Sequence, residues 1–341
     1  MQLYLAGSTS PKKLEAWASN APLYAPIILR KDDDPLDDWH LTPNFLFTFA
    51  HADAQKCAEH FCERPCAYDF CEQPHRRIFI DSGAFTAWKK GIKLDEKYLS
   101  KYMEFCRKIQ KRAKCCVTFA AVDIPLGKEG DKPETITLAQ KEKACEQGWE
   151  YYQTMRKNGI PCLPVFHQLE HVKWLRRIAD NSDYFAVSPR KDISAAKRHR
   201  WLKSVFDYIG PSKKKIHGFG ISSDAWLREF PFFSVDRTDW LWAIKLERYP
   251  LPNRRQRSLD EWTELLYHDG EDWEALRERL REILAYGTYG VKPDPQGRRG
   301  KYWFATLAIA RELSWQREIT KFWRQKGVVW DGETNREAVP S

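Results

Sequence analysis

RIFIDSGAFTAW (77–88) joins a short apolar run to an aspartate and then to a turn of small residues. Its first part, RIFIDSG (77–83), has the composition of a buried β-strand, and helical periodicity follows from Glu96 to Lys114. Apolar runs that alternate with helices are typical of a parallel sheet buried on both faces. The stretch therefore predicts one β/α unit whose strand ends on a polar group.

Seven further runs of the same kind occur up to residue 237. They are QLYLAGS (2–8), FLFTFA (45–50), CVTFAAVDIP (116–125), PCLPVFH (161–167), DYFAVSP (183–189), KIHGFGIS (215–222) and FFSVDR (232–237). Helical periodicity separates most of them, at Glu134 to Asn158, His171 to Asp180, Ala195 to Ile209 and Asp224 to Phe230. Eight such units predict a closed (β/α)8 TIM-type barrel of the α/β class, although a doubly wound open sheet would produce a similar pattern.

Polar residues at the strand ends favour the barrel over the open sheet. They are Asp81, Asp123, His167, Ser188, Gly218 and Asp236. Barrel enzymes assemble their sites from many successive βα loops, whereas an open sheet uses mainly its switch point.

The predicted domains are a barrel over residues 1–245, with a Cys-rich insertion near 51–76, and a helical C-terminal extension over 246–341. The extension is basic and Trp-rich. Its predicted helices are Leu259 to His268, Asp272 to Tyr286 and Tyr302 to Gln325. The Gly/Pro-rich stretch 287–300 is expected to be an exposed loop.

The charge balance points to a polyanionic partner. Lys and Arg exceed Asp and Glu by nine, and nine of the 15 Trp follow position 220, interleaved with basic clusters. Two of these clusters contain Arg254 with Arg255 and Arg298 with Arg299, and we expect these four arginines to contact nucleic acid. The alternative is that each tryptophan is a core anchor of the helical part.

The nine cysteines and the N-terminus predict the compartment. No apolar run reaches the roughly 18 residues of a membrane span, and no export signal is evident, so we expect a cytoplasmic protein with reduced thiols. Four cysteines lie close together, at Cys57, Cys62, Cys66 and Cys71. Their spacing is not that of ordinary zinc knuckles, so we expect free thiols in a surface insertion and no metal, with a structural zinc as the alternative.

Asp81 and Asp236 end the third and eighth predicted strands, whose ends can face each other across a barrel mouth. Two carboxylates in one cavity can divide the work of glycosyl transfer: one attacks the anomeric carbon and the other moves protons. The alternatives are an N-cap role for Asp81 and an acid-lined mouth that binds a metal or a sugar without covalent chemistry.

Asp123, His167 and Gln168 follow two intermediate strands and could bind a purine edge, where N–H donors and a carbonyl lie side by side. Gly83, Gly218 and Gly220 lack side chains that would keep a flat ligand away from the backbone. His167 or His217 taken alone is more often a structural histidine.

The series IDSGAFTAW, AAVDIP, PVFHQ, KIHGFGIS and SVDRTDW resembles the phage and bacterial DNA-directed branch of the tRNA-guanine transglycosylase superfamily. These proteins exchange guanine in DNA for a 7-deazaguanine. The resemblance covers roughly residues 1–245, in order. It implies an enzyme, a pentosyltransferase, whose partners are DNA and a free 7-deazaguanine base, with 7-cyano-7-deazaguanine expected, and it implies no cofactor.

The resemblance also implies residue roles. Asp236 would attack C1′ of the target deoxyguanosine and hold the sugar covalently. Asp81 would protonate departing guanine and deprotonate the incoming base. The remaining matched positions would bind the base, namely Ser82, Gly83, Asp123, His167, Gln168, Gly218 and Gly220.

The chain also departs from the pattern. The tRNA-directed enzymes have a C-terminal zinc site of three Cys and one His, and here no Cys follows Cys162. Related phage sequences commonly have small hydroxyl residues after the aspartate, where this chain has Arg237 to Asp239. The missing cysteines disfavour tRNA guanine exchange, which is kept as an alternative function together with a non-catalytic nucleic-acid-binding barrel.

Overall fold

The computed structural model describes residues 1–7, 10–18, 42–64, 76–127, 131–210, 214–241, 249–250, 256–257 and 298–330; side chains in the last range are described at 305, 306 and 308–330. Eleven strands lie in this part of the chain. They are β1 (Gln2–Ala6), β2 (Asn44–Thr48), β3 (Arg77–Asp81), β4 (Cys116–Ala120), β5 (Cys162–Leu163), β6 (Val165–His167), β7 (Tyr184–Ser188), β8 (Lys215–Gly218), β9 (Ser234–Arg237), β10 (Tyr249–Pro250) and β11 (Gln256–Arg257).

Helices alternate with these strands. They are α1 (11–18), α2 (Ala52–Cys62), α3 (Ala84–Lys89), α4 (Glu96–Arg112), α5 (Leu138–Lys157), α6 (Val172–Asn181), α7 (Ala195–Ile209), α8 (Asp224–Glu229) and α9 (Arg298–Gln325), with a 3-10 turn at Pro133–Thr135. None of the helices in the described ranges is both long and apolar enough to cross a membrane.

The first nine strands form one parallel sheet in the order β5-β4-β3-β2-β1-β9-β8-β7-β6. Its two end strands are halves of one chain segment, separated by Pro164. Ala121 donates its N–H to Leu163 O at 2.9 Å, and Ala186 donates to Pro164 O at 2.9 Å, so the segment is bonded on both sides. This confirms the predicted TIM-type barrel. Its strands occupy eight positions around the barrel, here called staves, and one stave is divided at Pro164 because proline has no N–H to donate.

The barrel interior is filled by alternate side chains of successive strands. A buried cluster is formed by Tyr4, Ala6, Leu46, Phe79, Ala120, Leu163 and Ala186. Outward-facing residues pack against helices; for example, the Phe45 ring lies 4.9 Å from that of Phe61 on α2. The inward set gives the mouth a solid apolar floor, above which polar groups can collect.

Local signals fix where the helices begin. The Asp95 carboxylate accepts the N–H groups of Lys97 and Tyr98, both at 3.1 Å, and so caps α4. Thr137 and Gln140 form a reciprocal capping box at the start of α5.

The chain divides into two compact units. The first comprises the described parts of Met1–Pro11, Asn44–Arg237 and Ile319–Ser341, and the second those of Lys12–Pro43 and Thr238–Glu318. The predicted boundary at 245 thus differs from this division, because segments far apart in sequence share contacts within the second unit.

Within the second unit, β10 and β11 pair antiparallel, and the Trp17 and Trp240 rings meet edge to face at 6.4 Å. Buried Trp315 on α9 supports the interpretation of tryptophans as core anchors. Residues 302–325, predicted as a helix, lie inside α9, and residues 298–300 of the predicted loop begin it. The predicted helices Leu259 to His268 and Asp272 to Tyr286 lie outside the described residues.

Residues 52–62 form α2, between β2 and β3, and so belong to the barrel's ring of helices rather than to an insertion. The apolar face of α2 buries both Cys57 and Cys62 completely, which corrects the expectation of surface thiols. Burial raises the pKa of the Cys62 thiol to about 11, so it stays protonated at neutral pH. Cys66 and Cys71 lie outside the described residues.

Candidate active site

The carboxyl ends of the barrel strands bring the predicted polar residues to one mouth. Asp81 is the last residue of β3, Asp236 lies in β9, and His167 ends β6. Asp123 follows β4 by three residues, and Gly220 follows β8 by two. Since all these strands are parallel, their ends share one side of the barrel.

Asp81 is the carboxyl group with the most altered acidity at this mouth. Burial, followed by the negative charges of Asp123 and Asp236, raises its pKa to about 7, although Gly83 N–H and the Thr48 hydroxyl donate hydrogen bonds to it. A carboxyl with this pKa exists in both protonation states at neutral pH. It can therefore give up a proton in one step and take one back in the next.

Asp236 is held from one side. Gly220 donates its backbone N–H to Oδ1 at 2.8 Å, and His217 Nε2 lies 3.5 Å from the same oxygen. Among the described residues, Oδ2 has no hydrogen-bond donor. The Asp236 side chain is 11% exposed, so it lies mostly buried at the mouth. One oxygen held by donors and one without a donor is an arrangement that suits an attacking carboxylate.

Asp123 and His167 form a polar pair across two staves. Nε2 of His167 lies 2.8 Å from Oδ2 of Asp123, and Ser82 Oγ donates to Oδ1 at 3.2 Å. Burial by itself would lower the pKa of His167, but the hydrogen bond and charge of Asp123, together with the charge of Glu170, raise it. A base that hydrogen-bonds to Asp123 would therefore have to displace His167 or Ser82 from the carboxylate oxygens.

Gln168 has both ends of its buried amide engaged. Its Oε1 accepts the N–H of Arg190 at 3.1 Å, and its Nε2 donates to Lys197 O at 3.4 Å. These bonds fix the loop after β7 against the start of α7. Gln168 was predicted to contact the base, and in the structure its amide connects the backbone of two segments at the mouth.

Each glycine predicted in the site has a structural explanation. Gly83 has φ +73°, and a Cβ there would lie 2.6 Å from Ala50 Cβ. At Gly218 a Cβ would meet Ile221 Cγ1 at 2.7 Å, so that glycine permits side-chain packing under the mouth. Gly220, with φ +61°, aims its N–H at Asp236.

The sequence analysis missed two residues at this mouth, Glu170 and Phe85, and treated a third directly below it, His217, as a structural histidine. Burial raises the pKa of Glu170 to about 7, and its Oε2 accepts the N–H of His167 at 3.1 Å. Phe85, on the first turn of α3, is 55% exposed, a large aromatic face beside Asp81 in sequence. His217 is fully buried beside Asp236. The signal for Phe85 was present in IDSGAF, whereas Glu170 and His217 depend on distant partners.

The predicted nucleic-acid contacts fall elsewhere. Arg254 and Arg255 lie outside the described residues, and Arg298 and Arg299 lie in the first turn of α9, where side chains are not described. In the described ranges, no three His, Cys, Asp or Glu side chains are placed to hold a metal ion.

Comparison with known proteins adds no assignment. No family model matches this chain, and no curated protein matches it. The fold and the mouth geometry are therefore what a functional proposal has to rest on.

Proposed function

We propose that this protein is a DNA-guanine transglycosylase, which exchanges guanine in DNA for a 7-deazaguanine base through a covalent Asp236–deoxyribose intermediate. The observation that carries the proposal is the contrast between two aspartates at one barrel mouth. Asp236 is anchored through Oδ1 with Oδ2 available, while Asp81 has a pKa of about 7. One carboxylate suits nucleophilic attack and the other suits proton transfer.

The first half of the reaction removes guanine. Oδ2 of Asp236 forms a bond to C1′ as the C1′–N9 bond breaks, and the bonding electrons leave with the base. Protonated Asp81 gives its proton to the departing guanine and becomes a carboxylate. The sugar is now held as an ester of Asp236, with C1′ inverted.

The second half installs the new base. The Asp81 carboxylate removes the N9 proton of the incoming 7-deazaguanine, and N9 attacks C1′ from the face that guanine left. The ester bond breaks and its electrons return to Asp236, so the two inversions restore the original configuration. Both aspartates end as they began, and no redox or metal chemistry enters this sequence of steps.

The base has a chemically suitable surface beside the two aspartates. Asp123 and His167 offer a carboxylate and an imidazole to the polar edge of a guanine-like ring, with Ser82 next to them. Phe85 offers an exposed aromatic face on which such a ring can stack. The incoming base most consistent with the sequence resemblance is 7-cyano-7-deazaguanine.

DNA is the proposed partner for two reasons. C1′ of a paired nucleotide is reached only when the nucleotide leaves the base stack. The formal net charge of +9 favours binding of the distorted polyanion that results. The second candidate is tRNA guanine exchange, which uses the same two aspartates. The third is a barrel that binds nucleic acid without chemistry, which the pairing of Asp81 with Asp236 disfavours.

Incubation with radiolabelled guanine and either DNA or tRNA tests the proposal. We expect label to enter DNA, and a protein–DNA adduct to survive a denaturing gel. Asp183→Asn is the matched control, since Asp183 lies at the opposite end of β7 and pairs with Lys214. Label entering only tRNA would favour the second candidate, and adduct-free binding would favour the third.

A further inference from the structure

His217 is a fully buried histidine in the barrel interior, at the base of the mouth. Its ring stacks on that of Phe79, with centroids 4.4 Å apart and an interplanar angle of 27°. Tyr4 and Phe219 meet the same ring edge to face, at 6.0 Å and 4.6 Å. Aromatic contacts on three sides hold the imidazole in one orientation.

A polar chain passes through this ring. The Tyr184 hydroxyl lies 2.6 Å from Ser234 Oγ, which lies 2.7 Å from His217 Nδ1. On the far side of the ring, Nε2 lies 3.5 Å from Asp236 Oδ1. Four side chains from three staves therefore form one line that ends on the proposed nucleophile.

The carboxylate of Asp236 favours one direction of this chain, because an acceptor oxygen needs a donor on Nε2. Burial raises the pKa of Tyr184 well above its usual value, so its hydroxyl keeps its proton and can donate to Ser234. Ser234 then donates to Nδ1, which leaves the imidazole proton on Nε2, facing Asp236. Of the described side chains that contact the ring, on β1, β3 and β9 and directly after β8, only Asp236 has a carboxyl group.

We propose that His217 is a positioning residue for Asp236: its neutral Nε2–H tautomer, set by Ser234 and Tyr184, holds Oδ1 so that Oδ2 faces the reacting carbon. The imidazole is neutral at pH 7 because burial lowers its pKa, an effect that outweighs the opposing influence of Asp236. The 3.5 Å contact is longer than a hydrogen bond, as is common for catalytic contacts before substrate binds. The role rests on the function proposed for Asp236.

The positioning role explains how the Asp236 carboxylate can be held in place through Oδ1 while Oδ2 is left to attack. Gly220 N–H, just after β8, and His217 Nε2–H, within β8, both point to the same oxygen of Asp236, which restricts rotation of the carboxylate. In the second half of the reaction, the same donors stabilise the carboxylate that forms as the ester breaks.

Three variants separate this role from a merely structural one. His217→Phe keeps the aromatic stack and removes the donor, His217→Gln keeps a donor without a ring, and Ser234→Ala removes the group that sets the tautomer. His199→Phe is the matched control, because His199 lies on α7 and pairs with Glu229 outside the barrel interior.

The first measurement is the single-turnover rate of adduct formation with DNA. We expect His217→Phe to slow it about 100-fold, with DNA affinity changed less than about threefold and the melting temperature retained. His217→Gln should be only about tenfold slower than the wild type, and His199→Phe should form the adduct at the wild-type rate. A wild-type rate in His217→Phe, or equal losses in the Phe and Gln variants, would overturn the proposal.

The second measurement does not depend on activity. ¹⁵N NMR of the histidine rings in the unmodified full chain should show His217 neutral at pH 7 and protonated on Nε2, with Ser234→Ala admitting the other tautomer. Asp236→Asn should shift the Nε2 signal. An Nδ1–H tautomer or an imidazolium in the wild type contradicts the proposal, even if the protein modifies no DNA. The proposed function is tested separately, by whether the wild-type protein forms a covalent adduct with DNA.

Discussion

His167 Nε2 lies 2.8 Å from Asp123 Oδ2, and the two side chains are only 15% and 16% exposed. The pair joins the loop after β4 to the end of β6, which is the second half of the divided stave. Because the carboxylate favours the imidazolium form, the pKa of His167 is raised above its usual value despite burial.

The His167–Asp123 pair predicts a pH-dependent stability. A histidine whose folded-state pKa is raised contributes stability that is fully present below the unfolded pKa of about 6.5 and is lost as pH rises through the folded value. The difference in free energy of unfolding between wild type and His167→Gln should therefore shrink above that pH. Urea unfolding at several pH values measures it. A difference that grows with pH would contradict the assignment of the ion pair.

Asp81→Asn should trade activity for stability. Burial raises the pKa of Asp81 to about 7, so at pH 8 the folded protein holds a carboxylate that it disfavours. An amide avoids that cost, and we expect about 1–3 kcal/mol of added stability at pH 8, with little gain at pH 5. Base exchange should be lost, since an amide cannot transfer the proton. An active Asp81→Asn variant would show that another group moves the proton.

Asp236→Ala should abolish adduct formation and exchange while leaving DNA affinity nearly intact, because phosphate contacts elsewhere supply most of the binding energy. Denaturing gels and a filter-binding titration on the same preparation measure the two properties. Asp183→Asn, at the other end of the barrel, should alter neither. An adduct formed by Asp236→Ala would place the nucleophile on another residue.

Substitution by alanine should lower the free energy of unfolding by different amounts at two glycines of the mouth. Gly83→Ala meets both a left-handed backbone and Ala50 Cβ at 2.6 Å, whereas at Gly220 the nearest atom is Lys191 Cε at 3.7 Å. We expect Gly220→Ala to lose about 1 kcal/mol from backbone strain alone, and Gly83→Ala to lose about 3 kcal/mol. Thermal unfolding gives the order. Equal losses would mean that the β2–α2 turn moves to admit the methyl group.

Charge reversal of Arg298 and Arg299 tests the predicted DNA contact on α9. If these arginines neutralise phosphates, changing both to Glu should weaken binding to all DNA sequences alike and reduce the salt slope by about one to two units. Exchange on saturating DNA should survive. An unchanged affinity would mean that the two arginines only face solvent, and loss for one sequence would indicate base readout.

The sequence predicted the barrel well because each stave carries its own local signal. The helix Ala195–Ile209 has the predicted bounds, and strand ends agree within a few residues. Pro164 shows where local signal was insufficient, since it divides a run that reads as one strand. Residues 52–62, which were predicted as part of a Cys-rich insertion, form the helix α2, whose buried residues recur at helical spacing.

The site was predictable as far as it depends on position along a strand. Asp81, Asp123, His167 and Asp236 lie at the predicted mouth for that reason. Gln168 and His217 were harder, because their roles are set by groups on other staves; His217 and its partner Ser234 are 17 residues apart. Such partners become visible only when register and barrel closure are known.

The placement of the two aspartates also bears on the growing chain. Asp81 ends the third stave, whereas Asp236 lies on β9, the last stave to leave the ribosome, which bonds to β1 and β8 at once. A nascent chain that ends before β9 contains Asp81 and Asp123 but lacks Asp236, the proposed nucleophile. Closure of the barrel and placement of the proposed nucleophile therefore occur in the same folding event, so under the proposed function an incomplete chain has no group to attack C1′.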